Sequence, residues 1–135
     1  MIKINILTHN FESKYLDLYY GYWKFFFIYE NDLKDLNFKI NFFFNLTDKF
    51  LDADYIFVTS RNFPQKKNFV DLDELIKLSN KNKNIIWFDM RDSAGTTQFE
   101  VLPFVKKYLK KNGIFKNLDL YNNDLEGGRY YTDYY

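Results

Sequence analysis

The side chains best suited to moving a proton near neutral pH are His9, Asp89 and Asp92. His9 is the only histidine in the chain, and an imidazole titrates close to physiological pH unless its surroundings shift it. It could act as a general base, with Asp89 or Asp92 orienting the ring; a solvent-facing or capping histidine in a loop is the plainer reading. The two carboxylates could also bind a ligand hydroxyl, or do no more than cap a turn or a helix. They lack a cluster of further metal ligands, so no metal is expected. Ser93-Ala94-Gly95-Thr96-Thr97 could cradle a phosphate through backbone amides and hydroxyls. It lacks the spacing and the lysine of a P-loop, and no G-x-G-x-x-G follows the first apolar segment. Arg61 and Arg91 could pair with an acidic ligand, or equally form surface or structural ion pairs.

For these groups to meet, the elements between them must bring their loops to one place. Ile2, Ile4 and Ile6 alternate and are followed by Leu7, which predicts a strand over about residues 2–8, closed by Thr8-His9-Asn10. From Tyr15 onward, Tyr15, Leu18, Tyr19, Tyr22, Trp23, Phe26, Leu33 and Leu36 recur at three- and four-residue steps. That is the pattern of a helix with one buried stripe, with Ser13 as its N-cap and Gly21 weakening it slightly. Phe38 to Phe44 reads as a second strand, Thr47 to Leu51 as a helical turn and Asp54 to Thr59 as a third strand. After a polar loop containing Pro64, Asp71 to Asn80 reads as a helix with Leu72, Leu75, Ile76 and Leu78 inward. Ile85 to Phe88 is a fourth strand, ending at Asp89.

Strands separated by helical segments imply parallel pairing with right-handed crossovers. Nearly continuous apolar strands imply a sheet covered on both faces. The expected fold is therefore α/β, a Rossmann-like doubly wound parallel sheet with helices on both faces. In such a sheet ligands bind beyond the carboxyl ends of the strands, where the strand order reverses. Thr8-His9-Asn10, Thr59-Ser60-Arg61-Asn62 and Asp89 to Thr97 would meet there. The expected catalytic residues are His9, Asp89 and Asp92. The expected substrate-binding residues are Asn10, Ser60, Arg61, Arg91, Ser93, Gly95, Thr96 and Thr97.

The last third is less regular. Val101, Phe104, Val105, Tyr108 and Leu109 fit a helix with Pro103 in its first turn, although Phe99 to Leu102 could be a short strand. Lys106-Lys107 and Lys110-Lys111 would then form a solvated helix face, or a surface for anionic lipid headgroups. The expected organisation is a Rossmann-like domain over residues 1–117 and an irregular tyrosine-rich tail over 118–135.

The totals set the outer bounds. A length of 135 residues fits one domain. With 47% hydrophobic and 27% charged residues, the chain is globular rather than disordered. A net charge of +1 gives no bulk pull toward nucleic acid, which is not expected as a partner. The absence of cysteine excludes disulfides and thiolate chemistry, and fits a reducing cytoplasm. The start of the chain lacks the apolar core and cleavage site of a signal peptide. The most apolar run, Phe25 to Tyr29, is too short to span a bilayer.

Residues 85–135 carry a resemblance. Ile85-Ile86-Trp87-Phe88-Asp89, followed by Asp92-Ser93-Ala94-Gly95-Thr96-Thr97-Gln98-Phe99-Glu100-Val101-Leu102-Pro103, is similar to a segment of bacterial glycosyltransferase-like proteins. Tyr108-Leu109-Lys110-Lys111 and Gly127-Gly128-Arg129-Tyr130-Tyr131-Thr132-Asp133-Tyr134-Tyr135 resemble its continuation, and Ala53 to Ser60 resembles the strand leading into a nucleotide-sugar enzyme's cleft. The Asp92–Pro103 run is the specific part. The resemblance implies the N-terminal, acceptor-side domain of a two-domain GT-B enzyme of cell-surface polysaccharide biosynthesis. It implies a nucleotide-sugar donor bound by a further domain beyond Tyr135 and a glycan or lipid-linked acceptor. Transfer would need no cofactor and no obligatory metal, in the cytoplasm or at the inner face of the membrane. A base would come from this half, and His9 is the candidate by position. Two other readings stand beside it. One is a self-contained flavodoxin-like binding domain, with no acidic pair after the first strand to suggest a phospho-receiver. The other is a non-catalytic module that docks through exposed aromatics.

Overall fold

The computed structural model describes residues 1–7, 23–59, 71–90 and 97–110. Strand β1 covers Ile2–Leu7, helix α1 residues 23–28 and helix α2 Glu30–Asp35. Strand β2 follows at Phe38–Phe43, helix α3 at Asp48–Leu51, strand β3 at Tyr55–Thr59 and helix α4 at Leu72–Lys81. Strand β4 covers Ile85–Asp89, a 3-10 helix Phe99–Phe104, and strand β5 Lys107–Lys110.

All five strands pair in parallel, in the order β2-β1-β3-β4-β5. The chain moves outward from β1 to β2, then returns across β1 to place β3 on its other side. Strand order therefore reverses between β1 and β3, the arrangement of the flavodoxin-like doubly wound folds. Side chains alternate between two cores. Ile4, Ile6, Phe57 and Phe88 face Trp23 and Phe26 of α1, while Leu7, Ile56, Val58, Ile85 and Trp87 face Phe50 of α3 and Leu75 and Leu78 of α4. Both faces are thus covered, as the apolar strands predict.

Local chemistry fixes the helix ends. The Thr47 hydroxyl accepts the Phe50 N–H at 3.2 Å and the Asp71 carboxylate accepts the Glu74 N–H at 3.1 Å, each satisfying an orphan donor of a first turn. Where α4 ends, the Asn82 carboxamide donates to the carbonyls of Leu51 and Ala53, at 3.2 and 2.8 Å. Asn37 turns the chain from α2 into β2 with φ of 67°, a left-handed conformation that asparagine tolerates well. Its carbonyl accepts the Ile2 N–H at 2.8 Å, which aligns the starts of β1 and β2.

A polar residue sits at the centre of this apolar frame. Asn5 on β1 is fully buried. Its amide donates to the carbonyls of Lys49 and Phe50 at 3.1 and 2.8 Å, and its oxygen accepts the Asn41 amide at 2.8 Å. One carboxamide therefore ties α3 to β1 and β1 to β2.

Several expectations need correction. Leu36 lies 68% exposed, because the helix is interrupted at Tyr29 and α2 buries none of its residues. On α4, Leu75 and Leu78 are buried, but Leu72 and Ile76 are more than a third exposed. The helix expected across Val101 to Leu109 is a 3-10 turn followed by a fifth strand. Pro103 sits inside that 3-10 turn, and the backbone is extended from Val105 onward. Lys106, Lys107 and Lys110 consequently do not share a helix face. Tyr15 to Tyr22, the Pro64 loop and the tail over 118–135 lie outside the described residues.

Replacing Asn5 with Ala should cost about 2–4 kcal/mol, because it orphans buried carbonyls and leaves a void beneath α3. Urea unfolding of the two proteins measures this directly. A change within a few tenths of a kcal/mol would mean that water takes over the role of the carboxamide.

Candidate functional site

The carboxyl ends of β1, β3, β4 and β5 are Leu7, Thr59, Asp89 and Lys110, and parallel pairing puts them on one edge. That edge carries the loops singled out in the sequence. Of the expected site residues, Asp89 and Thr97 are described. His9, Asn10, Ser60, Arg61, Arg91, Asp92, Ser93, Gly95 and Thr96 lie outside the described residues. Thr97 is half-buried and next to Gln98, which is fully buried.

Asp89 is fully buried at the end of β4. Its Oδ2 accepts from the Lys110 ammonium at 3.1 Å, and neither side chain is exposed. The same oxygen accepts from the Tyr108 hydroxyl. The register explains this meeting: Asp89 lies opposite Lys110, and Trp87 opposite Tyr108, so all four point to one face of the sheet. Gln98 completes the cluster, accepting the Trp87 indole N–H through its side chain at 3.2 Å and donating its backbone N–H to the Tyr108 oxygen at 3.1 Å. The Tyr108 hydroxyl therefore joins both ends of the excursion that leaves β4 at Asp89 and returns at Gln98.

Burial pushes the Tyr108 hydroxyl well above the usual tyrosine range, and its hydrogen bond to the Asp89 carboxylate pushes it further. It stays protonated at any physiological pH, as the donor this geometry requires. Asp89, flanked by an ammonium and a phenol, has the surroundings of an orienting group; a carboxylate ready to attack a substrate would need an open face. Taking two charges out of water is costly, and the pair holds only because each charge answers the other.

Tyr108, Lys110 and Gln98 were not among the expected site residues. Burial along Lys107-Tyr108-Leu109-Lys110 follows a two-residue period, but the polarity of these four residues does not alternate, so no local signal marks Tyr108 or Lys110, and none marks Gln98. At the opposite, amino edge, Lys106 donates to the Asn84 side chain at 2.9 Å and its ammonium lies 5.2 Å from the centre of the Tyr55 ring.

Among the described residues no group of three or more His, Cys, Asp or Glu could hold a metal ion. Among them, too, no helix is long and apolar enough to cross a membrane. Comparison with protein-family models, with curated proteins and with solved structures finds no match to this chain. The class defined by the fold is a doubly wound α/β domain.

Tyr108 also makes the fold sensitive to alkali. Unfolded, it ionises near its ordinary value of 10.0, whereas folded it keeps its proton to higher pH. Its contribution is complete below that ordinary value and is lost as the pH rises beyond it, where the unfolded chain alone releases the proton. Between about pH 9 and about pH 11, the wild-type protein should lose more stability than Tyr108→Phe. Denaturant midpoints at the two pH values test this, and equal losses would remove Tyr108 as the responsible group.

Proposed function

We propose that this domain is the acceptor-side part of a two-domain glycosyltransferase, moving a sugar from a nucleotide-sugar to a glycan or lipid-linked acceptor. One observation supports the reading above the rest. The described residues that carry the glycosyltransferase likeness are not scattered through the fold. Ile85 to Asp89 form β4, Thr97 to Pro103 run into the 3-10 helix, Tyr108 to Lys110 lie in β5, and Ala53 to Thr59 run into β3. The first three pieces are joined to one another through Tyr108, Asp89 and Gln98, and β3 pairs with β4, so the likeness falls on adjoining parts of the sheet beside the edge where doubly wound sheets bind ligands. The acceptor lies across that edge, and the donor nucleotide belongs to a further domain. His9, which follows β1 in the sequence, supplies the base. The protein works in the cytoplasm, where nucleotide-sugars are made, with any contact to the inner membrane face made by Lys106 and Lys107 rather than by the buried Lys110.

A second reading is favoured by the strand order. Among the described residues the order β2-β1-β3-β4-β5 is that of a flavodoxin-like sheet, and such a sheet can bind a nucleotide, a flavin or a partner without catalysing transfer. The two readings separate in one experiment. The protein as its native host expresses it is incubated with nucleotide-sugars and lipid-linked or oligosaccharide acceptors, and transfer is followed by mass spectrometry. Glycosylated product supports the first reading; binding of a nucleotide or flavin without product supports the second. In the active protein, His9→Ala should lower turnover about a hundredfold or more if the imidazole is the base. Unchanged turnover in that variant would remove His9 from the role.

A further inference from the structure

Strand β5 is attached to the sheet differently from its neighbours. Leu109 is 37% exposed and Lys107 faces solvent, so the strand's burial rests on Tyr108 and Lys110. Both of these end on the Asp89 carboxylate. In β3 and β4, by contrast, Ile56, Val58, Ile85 and Trp87 are fully buried apolar side chains. The two ends of β5 also differ. At its start the Lys106 N–H donates to the Ile85 carbonyl at 2.8 Å and the Lys106 ammonium holds Asn84, whereas its end is held by the buried ion pair. Segments with little apolar burial open before the rest of a fold, and a buried ion pair holds only while both charges are present.

We propose that β5 is a strap hinged at Lys106 and latched by the Asp89–Tyr108–Lys110 cluster, and that among the described strands it is released first, with β1, β3 and β4 intact. Release breaks the ion pair and the two hydrogen bonds of the Tyr108 hydroxyl together. Gln98 loses its tie to β5, and the Asp89 carboxylate is uncovered at the carboxyl edge. The strap itself is independent of the proposed function; the use of an uncovered Asp89 by a ligand at that edge rests on it.

Amide hydrogen exchange on the whole chain tests the strap without any ligand. The proteins to compare are the wild type, Lys110→Met and Tyr108→Phe. In both single variants, peptides covering residues 106–110 and 98–104 should exchange about tenfold faster or more, while peptides from β1 and β3 keep their wild-type rates. Should Lys110→Met fail to fold, Tyr108→Phe carries the same comparison, since it keeps the ring that packs edge-on against Phe99. Faster exchange spread evenly over β1, β3 and β5 would overturn the proposal, because β5 would then open only with the whole sheet. Unchanged strap exchange in the single variants would overturn it as well.

Discussion

Parallel pairing is the constraint from which the other features of this domain descend. With all five strands pointing one way, each connection must climb back over a face of the sheet before the next strand can begin. That requirement sends α1 to one face and α3 and α4 to the other, and it gathers every strand's carboxyl end on a common edge. It also leaves the central strands with no wet side. Tyr55 and Phe57 pack toward one core while Ile56 and Val58 pack toward the other, and a polar side chain inside this sheet must find its partners there.

Two such side chains show two solutions. Asn5, on β1 beside the margin formed by β2, is neutral, and its partners are backbone carbonyls and a second carboxamide. Nothing in that arrangement depends on protonation or salt. Asp89, one strand in from the margin, is matched by a lysine and a tyrosine from a four-residue strand. The first solution suits a place that must never move, for an amide held by backbone oxygens has no alternative state close in energy. The second joins a short margin to the sheet through buried charges, whose removal from water is costly unless they are paired.

How much of this was visible in the residues follows from the distances involved. Strands one to four were legible because their signals are local: Ile2, Ile4 and Ile6 alternate, and Phe42 to Phe44 and Ile85 to Phe88 are apolar runs. Leu75 and Leu78 were legible as core for the same reason. Leu36 was not, because a stripe counted at helical steps assumes an unbroken helix, and this one is interrupted at Tyr29. The fifth strand was missed because Val101, Phe104, Val105 and Tyr108 imitate helical spacing across a 3-10 turn, and only four residues remain to declare the new period. At the site, Asp89 stood out by its position at the end of an apolar strand. Its partners did not, because they reach it through pairing some twenty residues away, and a lysine within a basic run reads as solvated. Lys110 is the exception that pairing alone creates.

The distribution of the two tryptophans gives the domain a built-in optical asymmetry. Trp23 is 1% exposed among Phe26, Phe57 and Phe88 on one face, and Trp87 is fully buried beside Gln98 on the other. With no third indole in the chain, each layer of the molecule holds one tryptophan. Emission from Trp23 follows the seating of the first helix, and emission from Trp87 follows the polar cluster at the margin, so the two halves of the interior can be watched separately by deleting one indole at a time.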